Sequence, residues 1–188
     1  MANLILRKKL VHFFNILDNN KNGSLNIDDF TQIGKNVCLN LSIKTSDNRY
    51  KQLISQSEEL YRVFVKDLGK SVGDEISISD WLTYFENEVY SSRNLEMIKR
   101  LIQVTVKYVF ELYDQNEDGQ LNIEEYVDMF TIYGIDQRFS PKSFMKLDRN
   151  NDEVISKPEL VNAVKEYFIS TDPAARGNWI FGNWEDAA

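Results

Sequence analysis

Oxygen-bearing side chains stand at alternate positions of one twelve-residue segment, residues 114–125. A hard cation such as calcium takes six to eight oxygen ligands, and a loop of this length supplies them from its first, third, fifth, seventh, ninth and twelfth positions. The candidate ligands are Asp114, Asn116, Asp118, the backbone carbonyl of Gln120 and both carboxylate oxygens of Glu125. Gly119 stands at the sixth position, where a sharp turn favours a residue without a Cβ. The segment therefore predicts a calcium site.

Two further segments, residues 18–29 and 148–159, repeat this pattern. Their candidate ligands are Asp18, Asn20, Asn22, the Ser24 carbonyl and Asp29 in the first loop, and Asp148, Asn150, Asp152, the Val154 carbonyl and Glu159 in the last loop. Asp29 is one methylene shorter than the usual Glu, which favours weaker calcium binding or magnesium. Glu153 replaces the usual glycine, so a strain of about 1–3 kcal/mol is expected there. We still expect the last loop to bind calcium, because its ligand set is intact.

A fourth copy, residues 69–80, keeps the phase of the repeat, with Asp80 at the closing position, but has no carboxylate at its first three ligand positions. Gly69, Ser71 and Gly73 occupy the first three ligand positions. We interpret this second loop as one that retains its pairing strand and binds no metal. The chain is therefore expected to bind three calcium ions, with magnesium a candidate especially at the first loop.

Apolar residues flank each loop at helical spacing. Before the first loop, for example, they are Leu10, Phe13, Phe14 and Leu17. Each loop is thus predicted to join two helices in the arrangement called an EF-hand. The predicted fold class is all-α, with two pairs of EF-hands packed into a compact body and short antiparallel β pairing between the loops of a pair. We place this pairing through Asn26 with Ser77, and through Asn122 with Ser156.

The repeats divide the chain into three parts. Residues 1–90 would form an N-terminal EF-hand pair, residues 95–170 a C-terminal pair, and residues 171–188 an apolar tail that docks on the body. The join near residues 91–94 is short, so it would not separate the two pairs widely.

Composition excludes several classes of function. The chain has 188 residues and a net charge of −7, which argues against nucleic-acid binding because that requires a basic face. No stretch could span a bilayer, and the apolar run near the N-terminus is too short for a signal peptide. With one His and one Cys, no catalytic pair or triad stands out, so we expect no enzyme. These features predict a monomeric, cytoplasmic protein whose partners are metal ions.

Three loops with ligands, a second loop without them, and an ending from Glu166 to Gly182 resemble the invertebrate sarcoplasmic calcium-binding proteins and the neuronal calexcitins. The resemblance covers essentially the whole chain. It implies a compact body that buffers calcium in muscle or neurons or, for calexcitin-like members, takes part in signalling. Coelenterazine-binding proteins and photoproteins share the loop order, but their pockets use several histidines. Here His12 stands alone, and we expect it on the exposed side of the first helix, which makes this alternative weaker.

The distribution of apolar residues favours a buffer over a sensor. A sensor opens a groove that is usually rich in methionine, whereas Met97, Met129 and Met145 are scattered. The tail carries four large apolar side chains, Trp179, Ile180, Phe181 and Trp184. Exposed, they would be an aggregation liability, so we expect them to occupy the protein's own groove. The predicted function is reversible Ca²⁺ and Mg²⁺ buffering through three loops; the alternative is a calexcitin-like sensor with a protein target.

Overall fold

The structure is a computed structural model that describes residues 3–91 and 95–185; the side chains of residues 88, 89, 91, 95 and 97 lie outside this description. The helices in these ranges are α1 (Leu4–Leu17), α2 (Ile27–Asn40), α3 (Asn48–Asp67), α4 (Ile78–Tyr84), α5 (Leu95–Tyr113), α6 (Ile123–Ile132), α7 (Ser140–Leu147) and α8 (Lys157–Ile169). A π-helix (Phe85–Ser91) continues α4, and short 3-10 helices span Gln137–Phe139 and Arg176–Trp179. None of the helices in the described ranges combines the length and the apolarity that a membrane span requires. The predicted join at residues 92–94 and the side chain of Met97 fall outside the described residues.

Each of the four loops lies between two helices and carries a two-residue strand, so the predicted all-α fold with paired loops is confirmed. The strands are β1 (Ser24–Leu25), β2 (Ile76–Ser77), β3 (Gln120–Leu121) and β4 (Ile155–Ser156), and β1 pairs with β2 and β3 with β4, both antiparallel. The predicted register was wrong by two residues: Ser77 lies opposite Ser24, and Ser156 lies opposite Gln120. The buried Leu25–Ile76 and Leu121–Ile155 pairs set the register, because they close the core between the two loops.

Aromatic side chains join the two pairs of loops through one core. The ring centroids of Phe13, on α1, and Phe168, on α8, lie 5.5 Å apart. Phe85 stacks on Phe168 with centroids 6.0 Å apart and planes inclined by 7°. Trp81 is fully buried between Phe13, Phe64 and Phe85. Both pairs of loops are therefore positioned by a shared apolar interior.

The C-terminal segment, residues 171–185, folds back against α7 and α8 and reaches α1. Its large apolar side chains are all buried: Trp179, Ile180, Phe181 and Trp184. Phe181 stacks on Phe13 with ring centroids 4.8 Å apart, and the Tyr126 hydroxyl donates to the Ile180 carbonyl at 2.8 Å. The tail thus forms part of the core.

Lys9 anchors the tail to two helices. Its side chain is 1% exposed, and its ammonium donates to the carbonyls of Glu166 at 3.0 Å and Ser170 at 2.8 Å, and to Asn178 Oδ1 at 2.8 Å. Burial lowers the pKa of Lys9 to about 8, although the Glu166 carboxylate opposes this change. One side chain of α1 therefore binds both the C-terminal end of α8 and the tail.

His12 faces the tail rather than solvent. Its Nε2 lies 2.8 Å from the Phe181 carbonyl, and burial lowers its pKa. The expectation that His12 is exposed was wrong, because a segment 169 residues further along the chain covers this side of α1. The helical periodicity of α1 alone could not reveal that cover.

Candidate metal centres

The loop at residues 114–125 holds its predicted ligands with its own backbone. The Asp114 carboxylate accepts from the N–H of Asp118 at 3.1 Å and of Gly119 at 2.9 Å. Glu125 accepts from the N–H of Gln115 at 2.9 Å and of Asn122 at 3.0 Å. These bonds fix one carboxylate at each end of the loop, and Gly119 makes the turn with φ +78°.

Glu125 also begins the helix that follows the loop. Asn122 is the N-cap of α6, and its side chain accepts from the N–H of Glu125 at 3.0 Å while Glu125 accepts from the N–H of Asn122. Asn26, Ser77 and Ser156 form the same capping box in the other loops. The closing carboxylate of each loop is therefore held by the start of its exit helix, in addition to its position at the end of the loop.

The last loop, residues 148–159, repeats this geometry. Asp148 accepts from the N–H of Asp152 at 3.2 Å and of Glu153 at 3.0 Å. Glu159 accepts from the N–H of Arg149 at 2.7 Å and of Ser156 at 2.9 Å. Glu153 adopts φ +69°, the left-handed conformation of the glycines at this position in the other two loops. The turn is thus preserved, at a strain of about 1–3 kcal/mol.

The first loop, residues 18–29, differs at its closing residue. Asp18 accepts from the N–H of Asn22 at 3.2 Å and of Gly23 at 2.8 Å, as in the other loops. Asp29 accepts from the N–H of Asn26 at 2.9 Å and, across the loop, from the N–H of Asn20 at 3.4 Å. Asn116, at the same position of the third loop, lies the same 3.4 Å from Glu125, and Glu125 and Glu159 also accept short hydrogen bonds from the second residues of their loops.

Burial of the end carboxylates is the main electrostatic feature of these loops. Six charged side chains are buried in the described part of the chain: Lys9, Asp18, Asp29, Glu125, Asp148 and Glu159. All except Lys9 are first or twelfth residues of the three predicted metal loops. A buried carboxylate is costly unless a cation or several hydrogen bonds balance it. The donor set therefore fits a hard divalent cation in each loop.

The pKa values of two buried closing carboxylates, Asp29 and Glu159, are shifted in opposite directions. Burial raises the pKa of Asp29, and its backbone hydrogen bonds do not fully offset this effect. Burial would also raise the pKa of Glu159, but hydrogen bonds from the side chain and backbone of Ser156 outweigh it and lower the pKa. Glu159 is thus the better prepared of the two to bind as a carboxylate.

No group of three or more His, Cys, Asp and Glu side chains within residues 3–91 and 95–185 could hold a metal ion by itself. The loops do not depend on such a group, because Asn side-chain oxygens and backbone carbonyls complete each ligand set. The middle ligands lie at the surface: Asn20, Asn22, Asn116, Asp118, Asn150 and Asp152 each lie within hydrogen-bond distance of a backbone N–H of their own loop. The structure therefore places every predicted ligand in its own loop.

The second loop is built differently. It begins with Gly69 in the left-handed conformation, φ +67°, where the other loops begin with Asp. Ser71 donates its N–H to the Asp74 carboxylate at 2.8 Å, and the Tyr61 hydroxyl donates to the Asp74 carbonyl. In this loop the carboxylate that accepts a backbone N–H of the turn belongs to Asp74, the sixth residue, whereas in the other loops it belongs to the Asp at the first position.

Comparisons with known proteins agree with this architecture. The family model described as EF hand matches residues 106–130. Calerythrin from Saccharopolyspora erythraea is 22% identical, over 89% of this chain and 94% of its own. Calexcitin-1 from Caenorhabditis elegans is 34% identical, over 40% of this chain and 39% of its own. The calcium-loaded apo form of the coelenterazine-binding protein from Renilla muelleri has a TM-score of 0.76 at 17% identity, with 95% of each chain covered, which shows a shared fold. With four loops of this spacing, paired through short strands and held between helices, the chain is similar in sequence and in architecture to the EF-hand calcium-binding proteins.

Proposed function

We propose that this protein is a cytoplasmic, monomeric calcium buffer, and not an enzyme, that binds three calcium ions reversibly through its first, third and fourth loops. The observation that carries the proposal is the burial of five carboxylates at the ends of these loops, where a divalent cation would supply the balancing charge. Calerythrin and calexcitin-1, both similar in sequence, support the calcium-binding class. The burial of the tail supports a buffer, because Phe181 occupies the space beside Phe13 and Tyr167 that a target side chain could otherwise fill.

The chain's own residues would carry out binding in two steps. The surface Asn and Asp side chains of each loop would take the place of water around the cation, and the carboxylates at the two ends of the loop would hold it. When bound, calcium supplies positive charge and accepts oxygen ligands. Because the twelfth residue also caps the exit helix, ligation would tighten the link between each loop and the helix that follows it.

Replacement of Glu125 by Gln tests the stoichiometry. Calorimetric titration of the wild-type protein should give three equivalents of calcium, and Glu125→Gln should lose one, because it removes a charge and one of two ligand oxygens. Gln still completes the capping box, so the helix start is retained. The control Glu124→Gln changes the exposed neighbouring carboxylate and should keep all three equivalents. Four equivalents in the wild type, or no loss in Glu125→Gln, would contradict the proposal.

We further propose that the first loop accepts magnesium more readily than the other two, because the side chain of Asp29 is one methylene shorter than that of the Glu that closes each of them. Asp29→Glu should raise the calcium-to-magnesium selectivity of this loop about tenfold, since it provides a second charged ligand oxygen. Calcium titrations with and without millimolar magnesium measure this ratio. Asp28→Glu, at the exposed neighbouring position, is the matched control. Unchanged selectivity in Asp29→Glu would show that the closing residue does not set the metal preference.

A calexcitin-like sensor is the second candidate function. A surface groove of about 800 Å³ favours it, because a sensor needs a surface for its target. The groove lies between α5 and α8, with the apolar residues Ile102, Val106, Phe110 and Val161 and the lysines Lys99, Lys107 and Lys157 in its lining. A coelenterazine-binding role is supported by the fold shared with the Renilla muelleri protein, whereas the large side chains of Trp81, Phe85, Phe168 and Phe181 are buried in the interior of this chain. Calcium-dependent binding of a hydrophobic dye to the intact chain would favour the sensor over the buffer.

A further inference from the structure

The second loop contains a cation of its own, the ammonium group of Lys70. Glu75 and Asp80 are the seventh and twelfth residues of this loop. Lys70 Nζ lies 3.0 Å from the backbone oxygen of Glu75 and 3.0 Å from Asp80 Oδ2. In a metal-binding loop these two positions provide the carbonyl and the closing carboxylate that bind the ion. We propose that the Lys70 ammonium takes the place of a metal ion in the second loop. By binding the seventh and twelfth residues together, it keeps the second loop in the conformation that metal binding by the first loop requires.

The end of α3 delivers Lys70 to this place. Gly69 adopts φ +67°, its N–H donates to the Lys66 carbonyl at 3.0 Å, and the Lys70 N–H donates to the Val65 carbonyl at 2.9 Å. This pair of bonds is a Schellman motif, which ends a helix and reverses the chain. Asp18 is the first residue of the first loop, as Gly69 is of the second, and it has φ −70°. In the first loop it is therefore the carboxylate of this first residue that turns into the loop, and not the side chain of the second residue. Gly69 therefore removes a ligand and positions a lysine in one step.

The second residues of two other loops point elsewhere. The Gln115 side chain donates to Asp128 at 2.7 Å, and Arg149 donates to Glu166 at 2.6 Å, so both contact the exit helix of their own loop. In these loops the closing carboxylate and the seventh carbonyl are left for the metal. The inward position of Lys70 is therefore not a general consequence of its place in the repeat.

Contacts connect the second loop to the first. The Ser24 hydroxyl donates to the Glu75 carboxylate at 3.0 Å, and Ser24 lies opposite Ser77 in the two-stranded sheet. Ser24 is the seventh residue of the first loop, whose carbonyl is a predicted ligand. Lys70 thus fixes the backbone of Glu75, and Glu75 fixes the residue that presents that ligand. This coupling rests on the proposed metal binding by the first loop.

Exposure sets the expected size of the effect. The side chains of Lys70 and Asp80 are 29% and 39% exposed, so solvent and salt weaken their attraction. The hydrogen bond from Lys70 is the first cause of the lowered pKa of Asp80, followed by hydrogen bonds from Ser77. An ion pair of this exposure corresponds to a change of about two- to fivefold in an equilibrium constant. The effect should therefore be modest, local and dependent on salt.

Lys70→Met is the direct test, with Lys66→Met as the control at an exposed lysine in the last turn of α3. Calcium titration followed by NMR distinguishes the loops, because the amides of Gly23 and Gly119 donate to ligand carboxylates in the first and third loops. Lys70→Met should weaken calcium binding at Gly23 about two- to fivefold, leave Gly119 unchanged, and keep the number of bound ions. Lys70→Arg should restore most of the affinity, because it retains the charge. Equal binding in Lys70→Met and Lys66→Met would overturn the coupling.

The metal-free protein provides an independent measurement. In chelator at low salt, Lys70→Met should lower the thermal midpoint by about 1–4 °C relative to Lys66→Met, and high salt should remove this difference. An unchanged midpoint at low salt would overturn the role of Lys70 as the built-in cation. This comparison needs no bound metal. If the wild-type first loop binds no calcium, the proposed function fails at that loop, while the midpoint still decides the role of Lys70.

Discussion

Removal of residues 171–188 should destabilise the protein by several kcal/mol. Four large apolar side chains of this segment are buried: Trp179, Ile180, Phe181 and Trp184. Each contributes about 1.5–3 kcal/mol through burial, before the entropy of ordering the segment is subtracted. At roughly 2–4 °C per kcal/mol for a chain of this size, the thermal midpoint should fall by about 10 °C. Differential scanning calorimetry of the calcium-loaded protein measures the shift.

The same deletion should expose apolar surface and so distinguish a buffer from a sensor. Without the tail, Phe13 and Tyr167 lose their contacts with Phe181, at ring-centroid distances of 4.8 Å and 5.1 Å, and a hydrophobic dye should bind there. A buffer should show little dye binding when intact, with or without calcium. A sensor should show a calcium-dependent increase in the intact chain, as a groove opens.

Phe181→Ala is the milder variant if the deletion does not fold. It should cost about 3–5 kcal/mol, because Phe181 is 2% exposed, stacks on Phe13 and packs edge-to-face against Tyr167. If neither variant changes the thermal midpoint or the dye binding, the tail does not close the core in solution. In that case the burial of the tail would no longer support a buffer.

Lys9→Met should destabilise the protein by about 2–4 kcal/mol, because it leaves buried acceptors without their donor. The affected oxygens are the Glu166 and Ser170 carbonyls and the side chain of Asn178, which is 0% exposed. Chemical denaturation measures the loss. Lys8→Met is the matched control, since Lys8 also binds the tail, at the Glu185 carbonyl, but through an exposed hydrogen bond. Equal stability of the two variants would show that the buried ammonium is not an anchor.

The pH dependence of that loss tests the pKa of Lys9. Its folded-state pKa is about 8, below the ordinary 10.5 of an unfolded chain, chiefly because of burial. Between these values the unfolded chain holds the proton and the folded chain does not, so this residue makes the free energy of unfolding rise with pH. The stability difference between wild type and Lys9→Met should therefore grow from pH 8 to about 10.5, by about 3 kcal/mol. Because both proteins share all their other titrating groups, subtracting one stability from the other cancels the contributions of those groups. A difference that shrinks over this window would mean that the ammonium's hydrogen bonds outweigh its burial.

The metal loops could be predicted from the sequence because their chemistry is local. Ligand types, their spacing and the turn at the sixth residue all lie within twelve residues, and the structure gives Glu153 the left-handed φ of the glycine it replaces. The helices on either side follow from their apolar periodicity, since one face of each must be buried. The sequence also showed that the first three ligand positions of the second loop, Gly69, Ser71 and Gly73, carry no carboxylate.

Only the tertiary structure decided which distant groups meet. Lys9 and Asn178 are 169 residues apart, His12 is covered by the equally distant Phe181, and Ser24 reaches Glu75 across 51 residues. The register of the paired loops was also decided there, by the burial of apolar residues that face each other across two separate loops. No periodicity along the chain records such contacts. They arise because the helices must share one core, and that shared core places buried charge at Lys9 and aromatic stacking at the tail.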